Sequence, residues 1–390
     1  MFITSDERKS EFLGKIAALG QGGSGKTYLI NTIANYLAEK EFYPWSEEAN
    51  MAGTIAVTPY ILKFDDRSVI INDNPGQDSL EFLRNLMASQ GDVYQGIVVV
   101  VDAVGWNFRN IGLLQANSLV EATKTQNTNL PLIVIISKRD LRDYLVQSNR
   151  ISVIAVIMAN AIKNIFDGYE FLYESRMYNK KLSYKVKLGD QSLIPLTIME
   201  QILTNAVDKY LEDEPIRGFS KMNVRLFIRS FLLGYCEAMK SMIDLSKYPI
   251  FASISDPSLV NRLNYHRPTA FETGSGWEKL GKSTIQGRKA VAEPSIIRQT
   301  FDSKTIELII NNYVLASETK VQDFVDDMKK QGENKWKVIS FCYTNALERS
   351  GKEQIKNTML QLINEIANRK NRLEQADKKE TISDFGLDEF

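Results

Sequence analysis

Continuous apolar runs separated by helical patterns dominate the first third of the chain. Three runs in which hydrophobic residues do not alternate with polar ones lie at Phe12–Leu19, Gly96–Asp102 and Leu130–Ser137. Such runs are typical of parallel strands that are buried on both faces. A fourth run occupies Lys337–Cys342, far downstream. Because strands alternate with helical patterns, the sequence predicts an α/β fold with a parallel sheet.

Two further strands and the intervening helices complete this pattern. Thr58–Phe64 and Ser68–Asn72 flank a polar turn at 65–67, an arrangement that favours an antiparallel hairpin. Helical patterns lie at Tyr28–Glu39 and Ile111–Thr125. We therefore expect a mostly parallel six-stranded sheet flanked by helices, with one antiparallel strand.

The middle of the chain, residues 144–335, has a mainly helical pattern. The clearest helices are predicted at Leu193–Leu211, Asn223–Leu245 and Thr305–Lys330. Residues 265–294 are rich in Gly, Lys, Thr and Pro, and they predict a long loop.

Composition narrows the functional classes. The 390 residues include 48 basic and 48 acidic side chains, so the formal net charge is zero, which disfavours a globally basic nucleic-acid-binding protein. Two cysteines and one histidine do not suffice for a disulfide framework or a Cys/His zinc cluster, and they favour a reducing, intracellular setting. The charged residues 371–390 predict a disordered tail.

Targeting and membrane segments are not expected from the sequence. The N-terminus becomes charged within a few residues, which does not fit a signal peptide, and neither end carries a lipidation motif. The most apolar stretch, Ile151–Ile162, is shorter than the roughly 20 residues that a membrane-spanning helix needs. We expect a cytoplasmic protein that reaches a membrane only through a partner.

A P-loop is predicted directly after the first strand and directly before a helix. Residues 20–27, Gly-Gln-Gly-Gly-Ser-Gly-Lys-Thr, fit the pattern G-x-x-x-x-G-K-[ST]. The glycines allow backbone N–H groups to point at phosphate oxygens, Lys26 would reach the β- and γ-phosphates, and the Thr27 hydroxyl would bind Mg²⁺. The pattern predicts a nucleoside triphosphate without choosing ATP or GTP. The predicted ligands are Gly20, Gln21, Gly22, Gly23, Ser24, Gly25, Lys26 and Thr27.

A second match to the same pattern, at 276–283, is interpreted as a chance match. No apolar strand precedes it, and the following segment makes a weak helix because Gly287 interrupts it. Trp277 and Leu280 are also poor choices for a loop that must wrap closely around phosphate. We expect one nucleotide site.

Catalytic and metal-binding candidates follow the strand Ser68–Asn72, in the sequence Asp-Asn-Pro-Gly-Gln at 73–77. Asp73, at the tip of a strand beside the P-loop, is well placed to hold Mg²⁺ through water. Gly76 could offer its backbone N–H to a γ-phosphate, and Gln77 could orient the attacking water.

In the order of these motifs, the chain resembles the Ras-superfamily small GTPases. The Arf-like branch and the bacterial polarity GTPases with a Pro-Gly-Gln switch are the most similar. The sequence Ser137-Lys138-Arg139-Asp140 then corresponds to the guanine-recognition motif [NT]-K-x-D. The resemblance implies that Asp140 accepts hydrogen bonds from guanine and that the Lys138 stem covers the base. Ser137 replaces the usual Asn or Thr, which we expect to weaken the link to the P-loop.

The fifth motif of the family resembles Thr344-Asn345-Ala346-Leu347, close to the C-terminus. Asn345 replaces the usual Ser, and the backbone N–H of Ala346 would contact the guanine O6. A helix with apolar residues at helical spacing is predicted at Glu353–Asn368. The implied GTPase (G) domain is then discontinuous, comprising 11–143 and 336–370, with 144–335 inserted between the fourth and fifth motifs.

The first switch is expected around Thr54, whose hydroxyl would contact Mg²⁺ and whose carbonyl would lie near the γ-phosphate. Thr58 is the competing candidate. The interval after Thr27 contains Phe42, Tyr43 and Trp45, which could form a partner-binding surface or pack under the loop. No arginine occurs between Thr27 and Asp66, so we expect slow intrinsic hydrolysis that an activator would raise by roughly 10³–10⁵-fold.

The resemblance implies a GTP-binding and GTP-hydrolysing molecular switch that depends on Mg²⁺ and cycles between GTP and GDP. Protein partners would bind the switch regions. The insertion emerges on the side of guanine recognition, away from the switches, and from this placement we expect it to bind partners or to self-associate. The Ser137 and Asn345 departures motivate an alternative, a nucleotide-occupied scaffold with little turnover. An ATPase of another P-loop class is disfavoured by Asp140 and by the lack of a second catalytic carboxylate beside Asp73.

Overall fold

The computed structural model describes residues 11–37, 58–64, 66–74, 94–122, 129–166, 170–177, 180–187, 196–240, 302–332, 334–345 and 348–384. The strands in these ranges are β1 Glu11–Leu19, β2 Thr58–Phe64, β3 Arg67–Asp73, β4 Tyr94–Asp102, β5 Leu130–Ser137, β6 Glu170–Met177, β7 Lys180–Lys187 and β8 Trp336–Tyr343. The helices are α1 Lys26–Leu37, α2 Asn110–Ala122, α3 Arg139–Gln147, α4 Arg150–Phe166, α5 Leu196–Asp213, α6 Lys221–Lys240, α7 Ser303–Ile309, α8 Glu318–Gln331 and α9 Arg349–Asp384. A 3₁₀ turn at Trp106–Phe108 and a π-helical turn at Ile310–Val314 connect some of them.

A six-stranded sheet organises the two ends of the chain. Its strand order is β2-β3-β1-β4-β5-β8, and β2 is antiparallel to β3 while the other neighbours are parallel. The predicted α/β fold with a mostly parallel sheet and one antiparallel strand is therefore confirmed. The parallel register pairs Ala18 with Asp73 and Asp102 with Ser137, so it brings the ends of β1, β3, β4 and β5 to one edge.

Helices cover both faces of this sheet because its central strands, β4 and β5 above all, are buried on both sides. On one face, α1 and α9 pack through a common hydrophobic cluster. The apolar positions predicted along Glu353–Asn368 are all buried in it: Ile355, Met359, Leu362, Ile363 and Ile366. On the other face, α2 packs through Leu113 and Leu119, and α8 through Phe324 and Met328.

The segment between α3 and α8 forms a third hydrophobic cluster, which we call the helical unit (residues 150–240 and 302–315). Side chains of α4 to α7 fill its core, among them Ile154, Leu203, Phe227 and Ile306, and Leu141 and Leu145 of α3 pack against them. A hairpin of β6 and β7 lies within the same stretch of chain, so this region is mainly but not entirely helical.

The structure corrects two sequence-based expectations about elements. The helix predicted over Thr305–Lys330 is two helices, α7 and α8, because the Ser317 side chain accepts a hydrogen bond from the Lys320 N–H and starts a new helix. Helix α8 lies within the predicted 144–335 insertion and packs on the sheet, and α3 spans residue 144. The tail expected to be disordered from residue 371 is helical through Asp384.

Other predictions lie outside the described residues. They concern the aromatic residues at 42–45, the long loop at 265–294 and the chance match at 276–283. In the described parts of the chain, no single helix combines the length and hydropathy needed to cross a bilayer. Arg139–Gln147 and Arg150–Asn164 meet those criteria only as a pair, with a bend of 79° between them.

Candidate nucleotide-binding site

The loop between β1 and α1 has the backbone conformation that its glycines permit. Gly20, Gly23 and Gly25 have φ angles of 137°, 80° and 90°, which lie in the left-handed region. At Gly20 a Cβ would also stand 2.1 Å from the Val100 carbonyl oxygen, so a larger residue has no room there. The Gly20 N–H donates to Gln115 Oε1 of α2 at 2.7 Å, which fixes the start of the loop.

Lys26 is a buried cation that lies across this loop. Its ammonium donates to the Gly20 carbonyl at 2.8 Å and to the Gln21 carbonyl at 3.0 Å. Burial lowers the pKa of Lys26 from its usual 10.5 to about 8, while the nearby Asp73 carboxylate partly opposes this shift. An ammonium has three donors, and the two carbonyls use two of them. A bound anion would raise the pKa of Lys26 again and so favour its charged form. The arrangement therefore suits an anion.

Thr27 and Asp73 bring a hydroxyl and a carboxylate together beside Lys26. The Thr27 hydroxyl donates to the Asp73 carboxylate, and Asp73 is completely buried where β3 ends next to β1. A hydroxyl and a carboxylate are ligands that Mg²⁺ prefers. In the same loop, the buried Gln21 Nε2 and Ser24 Oγ have no hydrogen-bond partner among the described residues. These residues therefore fit a phosphate group with its Mg²⁺.

The guanine-recognition candidates begin at the end of β5 and contact the P-loop directly. The Ser137 hydroxyl lies 2.6 Å from the Ser24 carbonyl oxygen and 3.2 Å from that of Val101. Ser137 therefore contacts the loop through its hydroxyl. Lys138 has a left-handed backbone (φ 60°), and its ammonium donates to the Gly23 carbonyl at 2.6 Å. The same ammonium forms an ion pair with Asp102 at 2.6 Å.

Asp140 and Asn345 line one cavity, although the whole helical unit separates them along the chain. The cavity has a volume of about 450 Å³, and its lining includes Tyr144 and Gly351. Backbone hydrogen bonds join the two loops, since the Thr344 N–H donates to the Ile136 carbonyl and the Arg139 N–H to the Thr344 carbonyl. The structure therefore brings the fourth and fifth candidate motifs together.

Gly351 has a specific packing role in the fifth motif. A Cβ at this position would stand 1.7 Å from the Asn345 carbonyl oxygen and 2.7 Å from the Thr344 hydroxyl. The loop after β8 can therefore approach the start of α9 only because residue 351 has no side chain.

Several predicted site residues lie outside the described residues: Thr54, Gly76, Gln77 and Ala346. Three residues at the site were not singled out from the sequence, namely Asp102, Gln115 and Asn223. Asp102 ends a buried strand just as Asp73 does, so the same signal could have identified it. Gln115 and Asn223 are polar residues on helices, and no local pattern distinguishes them.

In comparisons with known proteins, no protein-family model and no curated protein sequence matches this chain.

Proposed function

We propose that this chain is a guanine nucleotide-binding protein of the Ras/Arf-like type, which hydrolyses GTP and acts as a molecular switch. One observation carries the proposal: a P-loop, a Ser-Lys-x-Asp sequence and a Thr-Asn loop, remote in sequence, lie at one edge of the sheet. Ser137 and Lys138 contact P-loop carbonyls, while Asp140 and Asn345 share a cavity. The position of the one antiparallel strand, at the sheet edge next to β3, also fits a G domain.

The phosphate half of the site belongs to β1, α1 and β3. The P-loop amides and Lys26 bind the phosphates, and Thr27 and Asp73 would hold Mg²⁺. When bound, Mg²⁺ would neutralise charge on the phosphate oxygens. Thr54 and Gly76 would sense the γ-phosphate, and Gln77 would orient the attacking water, as the resemblance implies.

The base half of the site belongs to the loops after β5 and β8. A carboxylate at Asp140 accepts two hydrogen bonds, which matches the N1–H and exocyclic amine of guanine. Adenine offers an acceptor at N1 and has no amine at C2, so it would leave the carboxylate unpaired. This difference makes Asp140 the residue on which base selection depends.

Substitution of Asp140 tests base selection directly. An asparagine at this position replaces one acceptor with a donor, so it suits xanthine, which has a carbonyl where guanine has its amine. We expect Asp140→Asn to weaken GDP binding by about 100-fold, because the pairing to the exocyclic amine is replaced by a contact between two donors, and to strengthen binding of xanthosine diphosphate. Asp143→Asn, on the same helix and the same cavity, is the matched control. Equal losses in both variants, or unchanged GDP binding in Asp140→Asn, would refute the assignment.

Hydrolysis is tested separately from binding. In a single-turnover assay, the wild type is expected to convert bound GTP slowly, and Gln77→Leu more slowly still, because leucine cannot orient water. Equally slow decay in both proteins would favour the nucleotide-occupied scaffold over the GTPase.

A further inference from the structure

The Lys138 ammonium has a third acceptor that comes from the helical unit. Besides Gly23 of the P-loop and Asp102 of β4, it donates to Asn223 Oδ1 at 2.8 Å. Asn223 lies in the first turn of α6. An ammonium has three donors, and here each of them has a protein acceptor. Lys138 therefore joins the P-loop, the sheet edge and the helical unit at one point.

Local hydrogen bonds set the orientation of the Asn223 side chain. Its amide nitrogen donates to the Gly218 carbonyl at 2.6 Å, so the amide oxygen is the atom that meets Lys138. Gly218 has a φ angle of 82° in the turn that precedes α6, and Ile216 and Phe219 on either side of it are buried in the helical unit. The position of Asn223 thus depends on the packing of that unit.

Helix α6 makes further contacts with the segment after β4, and it makes them from the helix face that carries Asn223. Ser230, seven residues beyond Asn223, accepts a hydrogen bond through its carbonyl from Asn107 Nδ2 at 2.6 Å. A Cβ at Gly234 would stand 2.5 Å from the Tyr313 Cβ and 3.0 Å from the same Asn107 nitrogen, so glycine allows both residues to approach α6 closely. Residues spaced by seven and eleven lie on one face of a helix. The stripe formed by Asn223, Ser230 and Gly234 docks α6 on the nucleotide side of the sheet.

We propose that Asn223 is a positioning residue for nucleotide binding, through which the helical unit slows nucleotide release. It holds Lys138 against the P-loop, and Lys138 in turn keeps the loop and the base-recognition turn in register. This inference rests on the proposed guanine nucleotide binding and adds a residue from the helical unit to that site. A hydrogen bond to a charged group is worth more than one between neutral groups, so its loss has a measurable effect on the site.

The dissociation rate of fluorescent GDP from the full-length protein, chased with excess GDP, tests the proposal. We expect Asn223→Ala to release GDP about tenfold faster than the wild type, the effect of one hydrogen bond to a charged group. Asn223→Ser, which suits a helix N-terminus but has a shorter side chain, is expected to behave alike. Lys221→Ala is the matched control, because its ammonium lies in the same turn and pairs loosely with Glu212 at 3.8 Å. This control is expected to keep the wild-type rate.

A double-mutant cycle separates a role through Lys138 from a general loss of structure. Lys138→Met keeps an apolar stem over the base and removes the ammonium, so Asn223→Ala should add nothing to its release rate. Two results would overturn the inference. One is that Asn223→Ala and Asn223→Ser release GDP at the wild-type rate. The other is that Asn223→Ala speeds GDP release by the same factor in the Lys138→Met background as in the wild type. If the wild type itself binds no GDP, the proposed function fails and the inference with it, which is a distinguishable result.

Discussion

Lys26 combines burial with a positive charge, and this combination predicts how nucleotide affinity depends on pH. In the free protein its pKa is lowered to about 8, chiefly by burial. Bound phosphates would stabilise the charged form and raise this pKa again. Below pH 8 the site is already charged, whereas above pH 8 binding must take up a proton, so affinity falls as pH rises through 8. Between about pH 7 and 8.8, the Kd for GDP should rise roughly sixfold.

Isothermal titration across this range is the measurement, and Lys26→Arg is its control because a guanidinium stays charged. The range ends at about pH 8.8 so that ionisation of guanine itself contributes little. A wild-type Kd that does not change with pH would contradict the role given to Lys26.

Gly351 lies in the wall of the cavity that Asp140 and Asn345 share, the proposed base pocket. In Gly351→Ala the new methyl group would overlap the Asn345 carbonyl, so the loop that lines the cavity with Asp140 must move. Overpacking of this kind costs about 1–3 kcal/mol, and we expect the affinity for GDP to fall about tenfold. Ser350→Ala, at an exposed neighbouring position, should leave affinity unchanged. Affinities within twofold of each other in the two variants would show that the loop does not shape the pocket.

At the scale of elements, helices α5 and α6 are joined by a buried charge cluster. Glu200 Oε1 accepts from Arg229 Nε at 2.8 Å and from Arg225 Nε at 2.6 Å, and the Arg229 side chain is almost fully buried. Burial lowers the pKa of Arg229, whereas Glu200 opposes that shift. The carboxylate therefore compensates a cation that water cannot reach.

Glu200→Gln should destabilise the protein strongly because it leaves the buried Arg229 without a counter-charge. Removing one partner of a buried pair costs about 3–5 kcal/mol in the free energy of unfolding, which denaturant titration measures. Glu212→Gln, which removes only an exposed pair with Lys221, should have little effect. Equal stability of the two variants would mean that the cluster does not hold α5 and α6 together.

The sequence predicts the helices and strands correctly where the hydrophobic pattern is continuous, and wrongly where a single capping residue ends one helix and begins another. The strands of the main sheet follow from their apolar runs, and the structure extends them by a residue or two at most. The residues before and after the Ser317 cap both have helical periodicity, so the hydrophobic pattern predicts one helix where the structure has α7 and α8. In β7, Leu182, Tyr184 and Val186 alternate with polar residues, so a period-two signal for the hairpin was present but weak.

The sequence points to only some of the residues of the candidate site. P-loop and strand-end residues are identified by short motifs, because the chemistry requires specific residues in a fixed order. Asn223 depends instead on the docking of α6 against the sheet edge, which is a tertiary arrangement. A single polar residue on a helix carries no sign of that arrangement in the sequence.

At the scale of the whole molecule, the sheet explains how motifs separated by the helical unit can form one site. Strand β8 pairs in parallel with β5, so the loops that follow both strands meet at the same edge. The helical unit leaves the sheet after β5 and returns through α8, which covers the sheet beside α2. A large stretch of chain can therefore be inserted between the two loops that carry the candidate base-recognition motifs without separating them.

The most direct test of the central claim is the identity of the nucleotide that the purified protein holds and prefers. The protein is denatured, the released nucleotide is identified by chromatography, and labelled GDP bound to fresh protein is competed with unlabelled GDP or ADP. The account predicts a guanine nucleotide that GDP displaces and ADP does not. An adenine nucleotide, or binding without preference between GDP and ADP, would contradict the assignment of Ser137–Asp140 and Asn345 to one guanine pocket.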